Sequence, residues 1–280
     1  MNAPLISFIV PAYNAGASIS DCLDSIYCLD MCGYGREIIV VNDGSTDNTA
    51  EILAAYVREN SVELTVITQE NKGLSCARNA AMDVARGIYL CFVDSDDVLL
   101  TDSFPLEILA EHGYDIVGFN MLKIDGKGNS TPYRRYRYSY GKVYEPAATF
   151  MKGRNLMPCV CAYIFRRQML TEAGLSFIPH IYHEDEDFTA RAFAAAQSFV
   201  AVNVAFYGYR ANEDSITPTL DTRKQEWKLR DLVSILRGLH QSAMKDERFR
   251  ECTQYKMDYL AVDTLRLLLR MKHSQIFRNE

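Results

Sequence analysis

Residues 87–97 read GIYLCFVDSDD: seven uncharged residues, mostly apolar, that stop on three carboxylates within four positions. An unbroken run of this kind, rich in aromatic and β-branched side chains, is the pattern of a strand buried on both faces, as in a parallel sheet covered by helices. Similar runs come before it, at Leu5 to Val10, Glu37 to Val41 and Leu64 to Thr68, with Ile88 to Val93 the fourth. Helical patterns fill the gaps. Ser18 caps a helix reaching about Leu29 with Leu23 and Ile26 on one face; Asp47 to Arg58 turns Ile52 and Leu53 inward; Leu74 to Ala85 is rich in alanine. Strands alternating with helices at this spacing predict an α/β fold with a Rossmann-like, mostly parallel central sheet and helices on both faces. Ligands of such sheets sit beyond the carboxyl ends of the strands. The polar clusters Tyr13-Asn14, Asn42-Asp43-Gly44-Ser45 and Asp94-Ser95-Asp96-Asp97 fall at those ends.

Three carboxylates this close repel one another. Two readings of Asp94 to Asp97 follow. One is a solvated turn, where aspartate is common. The other is a site for a hard cation, Mn²⁺ or Mg²⁺, which takes one or two protein carboxylates and leaves its other positions to phosphate and water. The stretch 37–49, EIIVVNDGSTDNT, is a strand ending in a turn; Ser45 or Asp47 suits a cap for the next helix. No G-x-G-x-x-G dinucleotide fingerprint accompanies it. Asn71-Lys72-Gly73-Leu74 and Ala77-Arg78-Asn79 put two cations at one helix entry, suited to a base or phosphate or simply to a capped surface helix.

Composition narrows the classes. The chain has 280 residues, 48% hydrophobic and 24% charged, with a net charge of −6. That is a globular composition able to bury a substantial core, and the acidic balance gives no support to a nucleic-acid partner. The start, MNAPLISFIVPAYN, lacks the basic opening of a secretory leader, and no run approaches the roughly 20 apolar residues of a membrane span. Eight cysteines show no metal-ligand spacing and read as reduced, buried thiols of a cytoplasmic protein.

Beyond residue 100 the pattern changes. Tyr114 to Leu122 and Cys159 to Phe165 read as strands, and TPYRRYRYSYGKVY (131–144) as an amphipathic hairpin whose tyrosines and cations also suit a saccharide or phosphate acceptor. The acidic stretch Glu184 to Asp187 leads into a helix from Phe188 to Ala196, and the chain is helical from Asp221. A boundary near Thr217-Pro218 divides a catalytic domain, 1–217, from a helical C-terminal extension, 218–280.

Five segments together resemble the inverting family-2 glycosyltransferases of the GT-A fold: FIVPAYNA (8–15), VVNDGSTD (40–47), NKGLSCARNAA (71–81), GIYLCFVDSDD (87–97) and HEDEDF (183–188). The likeness spans about residues 5–215. It departs from the family's usual pattern at Asn42, often Asp, and Ala81, often Gly. The resemblance implies a nucleotide-sugar donor half (1–100) and an acceptor half (101–217). It implies that Pro11 and Tyr13 wall the base, Asp43 accepts the base imide N–H, Arg78 closes the base pocket, Asp94 reaches the ribose with Ser95 lending backbone, and Asp96 ligates the metal that bridges the diphosphate. Asp97 is expected to be structural support. Asp185 would be the general base, with Glu184 the fallback. Tyr209-Arg210, followed by Ser215-Ile216-Thr217, resembles a family loop that closes over the donor, where Arg210 would neutralise diphosphate charge or else be an exposed strand arginine. His183 suits orienting a carboxylate, meeting the diphosphate or a structural place. UDP is favoured because Asp43 suits a uracil-like imide. The expected acceptor is a saccharide or lipid-linked saccharide of surface polysaccharide or glycolipid synthesis.

Inverting transfer needs one carboxylate to take the acceptor proton while a metal stabilises the leaving diphosphate. Two rivals remain at this stage. Asp94-Ser95-Asp96-Asp97-Val98 fits the D-x-D-x-V pattern of haloacid-dehalogenase-like phosphatases, with Asp94 as nucleophile, although three earlier strand ends would then be idle. A non-catalytic nucleotide-sugar binder would not need the acids at 184–187. The tail carries Met257, Leu260, Ala261, Leu265, Leu268 and Met271 on one helical stripe beside Arg266, Arg270 and Lys272. Such a helix packs on the catalytic domain or lies peripherally on the inner face of an anionic membrane.

Overall fold

A computed structural model describes residues 3–60, 64–100, 104–133, 138–154, 156–210 and 222–276. The first half runs β1 (Ile6–Ala12), α1 (Ile19–Tyr27), β2 (Arg36–Asp43), α2 (Thr49–Asn60), β3 (Leu64–Gln69), α3 (Leu74–Val84) and β4 (Tyr89–Phe92). Then follow β5 (Val98–Leu99), α4 (Glu107–Ala110), β6 (Ile116–Ile124), β7 (Ser130–Pro132), β8 (Tyr163–Arg166), α5 (Arg167–Glu172), α6 (Glu184–Ala195), β9 (Phe199–Arg210), α7 (Thr222–Lys245) and α8 (Glu247–Ile276).

The described strands form one nine-stranded sheet in the order β3-β2-β1-β4-β8-β6-β9-β5, with β7 paired to β6. The pairs β1–β2, β1–β4, β2–β3 and β6–β9 are parallel. β8 lies antiparallel between β4 and β6, so β6 and β9 run in the direction of the first four strands. The mostly parallel sheet is therefore observed, with β5, β7 and β8 reversed. β1 and β4 are buried at every residue, as their unbroken apolar sequences require. β3, the edge, has no fully buried residue and carries two threonines and a glutamine.

The order places the site. Strands wind outward from β1 to β3, then the chain crosses through α3 to β4 on the other side of β1. The loops after β1 and β4 thus leave in opposite directions and open a crevice at their carboxyl ends. α3 closes over this end of the sheet. Its buried face, Ser75, Ala77, Arg78 and Ala81, is small apart from the arginine, so its backbone lies close to β1 and β2.

Three expectations need correction. Val160 to Ala162 is a 3₁₀ turn, and the strand begins only at Tyr163. The hairpin of this region is β6–β7, turning at Asp125 to Asn129. Residues 134–137 lie outside the described set, and Tyr138 and Tyr144 pack with Phe150 and Phe199 as core residues. Finally, α6 starts at Glu184, so the acids lie in its first turn and not ahead of it. Thr217-Pro218 and Ser215 to Thr217 lie outside the described residues.

The tail is two helices, with Met257, Leu260 and Met271 buried as expected. Leu265 and Leu268 instead face outward at 58% and 44% exposure, because Lys256 and Thr264 occupy the buried stripe. Among the described residues no helix is long and apolar enough to cross a membrane. All eight cysteines are free; Cys28 and Cys32 are exposed and not buried as expected.

Candidate active site

Loop geometry comes first. Asn14 takes a left-handed backbone (φ 51°); its N–H donates to Ser45 Oγ (3.0 Å) and its Oδ1 accepts from Thr46 N–H (2.8 Å). The loop after β1 is thereby stitched to the loop after β2. Gly44 has φ +70°, and a Cβ there would meet Asn71 N at 2.6 Å. Only glycine lets the start of α3 come this close. Asp43, 3% exposed, uses that approach. Its Oδ1 accepts from Gln69 Nε2 (2.6 Å) and Lys72 N–H (2.9 Å), and its Oδ2 accepts from Gly73 N–H (2.8 Å). A carboxylate offers about four lone-pair sites, so one remains for a ligand donor. Pro11 is buried at the end of β1, and Tyr13 is 50% exposed at the crevice mouth.

The turn after β4 closes with Asp97 N–H donating to the Asp94 carbonyl (3.0 Å). It points its acids in different directions. Asp97 is 2% exposed, accepting from Tyr207 Oη (2.7 Å) and Arg210 N–H (2.7 Å). Burial, with Asp94 and Asp96 nearby, pushes Asp97 up to about 8. Asp97 is the internal support of the turn, and Tyr207 Oη also accepts from Asp94 N–H (3.1 Å). Asp94, Ser95 and Asp96 are half-exposed toward the crevice.

Arg78 is the centre of the arrangement. Its Nη2 donates to Asp94 Oδ1 (2.9 Å), and its Nη1 donates to Glu184 Oε1 (3.0 Å) and Asp185 Oδ1 (2.8 Å). The side chain is 2% exposed and lies over the Phe177 ring at 5.2 Å. The ring is held in turn: Asn79 exchanges two hydrogen bonds, each 2.9 Å, with the Phe177 backbone, and Phe177 stacks on Phe188 at 4.0 Å with a 4° interplanar angle. Desolvation works against the guanidinium charge, but Asp185, Asp94 and Glu184 outweigh it and hold Arg78 firmly protonated. The resemblance implied that Arg78 closes the base pocket. The structure shows it joining the carboxyl end of β4 to the first turn of α6.

That first turn carries four acids with four settings. Asp185 is 18% exposed; its Oδ2 accepts from Val160 N–H (3.2 Å). Burial pushes Asp185 up to about 7; Arg78 opposes this, while Glu184 and Asp94 add to it and the Val160 hydrogen bond lowers it. Glu184 is 14% exposed on the same Nη1 of Arg78. Glu186 pairs with the fully buried Lys256 of α8, and Asp187 accepts from Arg191 Nε (2.8 Å). His183, just before the helix, has a left-handed backbone (φ 64°), and burial lowers its imidazole pKa. Arg210 Nη1 donates to Asp21 on α1 (2.9 Å).

Among the described residues no three His, Cys, Asp or Glu side chains form a ready-made cation cage. The half-exposed Asp96, with Asp94 beside it, fits a hard cation that brings phosphate oxygens as its other ligands. A separate cavity of about 530 Å³, lined by Gly113, Asp115, Arg166, Gln197 and Ser198, lies at the amino ends of β6 and β9, the opposite end of the sheet. The site is marked by charge and strand-end geometry.

This is a GT-A fold with its acids at the expected strand end. The chain is structurally similar to Staphylococcus aureus TarS residues 1–349 in complex with UDP-GlcNAc, with TM-score 0.63 and 23% identity, covering 82% of this chain and 65% of that one. It is equally similar to the mannosyltransferase PcManGT of Pyrobaculum calidifontis in complex with GDP-Man and Mn²⁺, with TM-score 0.63 and 17% identity, covering 98% and 74%. Residues 7–175 match Glycosyl transferase family 2, and the chain belongs to that family. Among its relatives, it is 43% identical over 232 residues to glycosyltransferase GlyG of Streptococcus pneumoniae serotype 4, covering 77% of this chain and 73% of GlyG. It is 33% identical over 239 residues to the uncharacterized glycosyltransferase EpsJ of Bacillus subtilis, covering 80% and 67%. Against EpsJ and YibD of Escherichia coli the chain spans about two thirds of the relative's length, 67% and 63%.

Sequence reasoning missed several residues of this site. Tyr207, Asn79, Phe177 and Val160 sit in ordinary strand, helix and loop patterns and carry no local signal. Lys256 did carry one: a cation in the middle of an apolar helical stripe.

Proposed function

We propose that this chain transfers a sugar from a nucleoside-diphosphate donor to an acceptor hydroxyl with inversion, using Asp185 as general base. The carrying observation is the Arg78 guanidinium, which brings Asp94 at the donor-side strand end and Asp185 at the start of α6 onto one group. A base and a diphosphate site that close together suit a single in-line displacement.

Asp43, Pro11 and Tyr13 receive the base, and Asp94 and Ser95 meet the ribose. Asp96 would hold Mn²⁺ or Mg²⁺, whose chemistry is to neutralise the leaving diphosphate. The acceptor oxygen attacks the anomeric carbon, its proton passes to the Asp185 carboxylate, and the bond from that carbon to the diphosphate oxygen breaks. Asp185 suits the task because burial brings it to about 7, close to the pH at which it must accept a proton. UDP is the favoured donor nucleotide. The TarS structure holds UDP-GlcNAc, while the mannosyltransferase holds GDP-Man, so the shared fold serves more than one base. An acceptor in surface polysaccharide fits relatives named poly(ribitol-phosphate) β-glucosyltransferase and β-N-acetylglucosaminyltransferase. The phosphatase alternative has no support once the family is assigned, and the buried base argues against a mere binder.

Thermal shift with UDP, GDP, ADP and CDP, with and without Mn²⁺, tests the reading on wild type and Asp96→Ala. A native-state ligand raises the melting temperature by mass action. One nucleotide should stabilise the wild type in the presence of metal and lose its effect in Asp96→Ala. No stabilisation by any of the four would overturn the donor assignment.

A further inference from the structure

We infer that the C-terminal helices position the general base: Lys256 on α8 and Asp231 on α7 fix the two segments that orient Asp185. This rests on the reading of Asp185 as the base. Lys256 is 0% exposed, a setting that a lysine occupies only when its charge is paired. Its Nζ meets Glu186, the residue after Asp185, and donates to the Leu156 carbonyl (3.3 Å). Leu156 lies in the loop that leads to the 3₁₀ turn whose Val160 N–H donates to Asp185 Oδ2 (3.2 Å). One ammonium therefore ties the helix that carries the base to the loop that holds its second oxygen. Asp231 acts from the other side. Its Oδ2 accepts from Tyr182 N–H (2.9 Å), one residue before the left-handed His183 that starts α6. Lys228, one turn earlier on α7, lies over the Tyr182 ring at 5.7 Å. Lys256 meets Glu186 and Leu156, and Asp231 meets Tyr182, so both act on the segments that flank the base.

The test combines local hydrogen exchange with kinetics. Lys256→Met alone leaves Glu186 buried without its partner and risks unfolding. The double variant Lys256→Met/Glu186→Leu replaces the buried pair by apolar side chains, a change that proteins often tolerate. Asp231→Ala removes the other tether without stranding a buried charge. Asp231→Asn keeps an acceptor for Tyr182 N–H. In folded double variant and Asp231→Ala, exchange in peptides covering Val160 and residues 182–188 should rise at least tenfold, with β1 and β2 unchanged. Turnover of a donor sugar nucleotide that the wild type uses should fall at least tenfold, with donor KM within twofold. Asp231→Asn should restore both readouts to near wild type. Wild-type exchange at Val160 and 182–188 in folded variants would overturn the inference, as would a uniform rise across the sheet. Asp185→Asn is run in parallel: if it keeps wild-type turnover, the base assignment fails, whatever the exchange data show about positioning.

Discussion

The acidic turn at 94–97 and the acidic helix start at 184–187 look alike in sequence and are built differently. In the first, a strand end supplies the geometry, and one acid, Asp97, turns inward to Tyr207 Oη and Arg210 N–H, leaving Asp94 and Asp96 at the crevice. In the second, a helix supplies the geometry. Two acids turn away, Glu186 to Lys256 and Asp187 to Arg191, and two, Glu184 and Asp185, face Arg78. Each cluster spends part of its charge on its own scaffold and presents the rest to the site. The half-exposed cluster suits a cation, and the enclosed one suits a proton acceptor.

Arg78 joins the clusters, so its removal should have the largest effect. Arg78→Met leaves Asp94, Glu184 and Asp185 facing one another without their shared cation. Breaking a buried ion pair from one side costs about 3–5 kcal/mol, to be read from urea unfolding; a loss below about 1 kcal/mol would mean that the clusters do not depend on one another. The pH profile sharpens the contrast next. Asp185 must be ionised to accept a proton, and burial raises it to about 7. Turnover should therefore fall as pH drops through 7, approaching tenfold per unit below it. An acid limb near the ordinary aspartate value of about 4 would place the base in a wetter setting. The smallest effect belongs to the strand-end scaffold. Tyr207→Phe removes the hydroxyl shared by Asp97 and Asp94 N–H and should cost about 1–3 kcal/mol of stability, the price of a buried polar group left unpaired. Denaturant midpoints check it, and donor affinity should drop with them because the turn carrying Asp96 loosens.

Much of this was legible in the sequence, for reasons that are themselves physical. β1, β2 and β4 are buried on both faces, so their apolar runs are unbroken, and the polar residues that end them stand at the carboxyl edge by construction. That placement brings Asp94 to Asp97 to the crevice end of the sheet but does not say which acid turns inward; the burial of Asp97 against Tyr207 and Arg210 is seen only in the structure. The contacts across long sequence separations were not legible. Arg78 reaches Asp185 over 107 positions, and Lys256 reaches Leu156 over 100. A helix pattern reveals that a face is buried but not what buries it, so neither the acids around Arg78 nor the partners of Lys256 on α8 could be named from the sequence. Four consecutive acids at a helix start do not reveal which of them turns to a scaffold partner and which faces the site, so the separate settings of Glu184 to Asp187 were not legible.

In the proposed reaction Asp185 takes the acceptor proton while the strand-end acids serve the donor. The most direct measurement is turnover and donor affinity of Asp185→Asn beside wild type, using the nucleotide that gives the thermal shift. Loss of a general base lowers turnover by about 10²–10⁴-fold. Asp185→Asn should lose turnover in that range with donor affinity unchanged within about threefold. Turnover near the wild-type rate would contradict it and pass the role to Glu184.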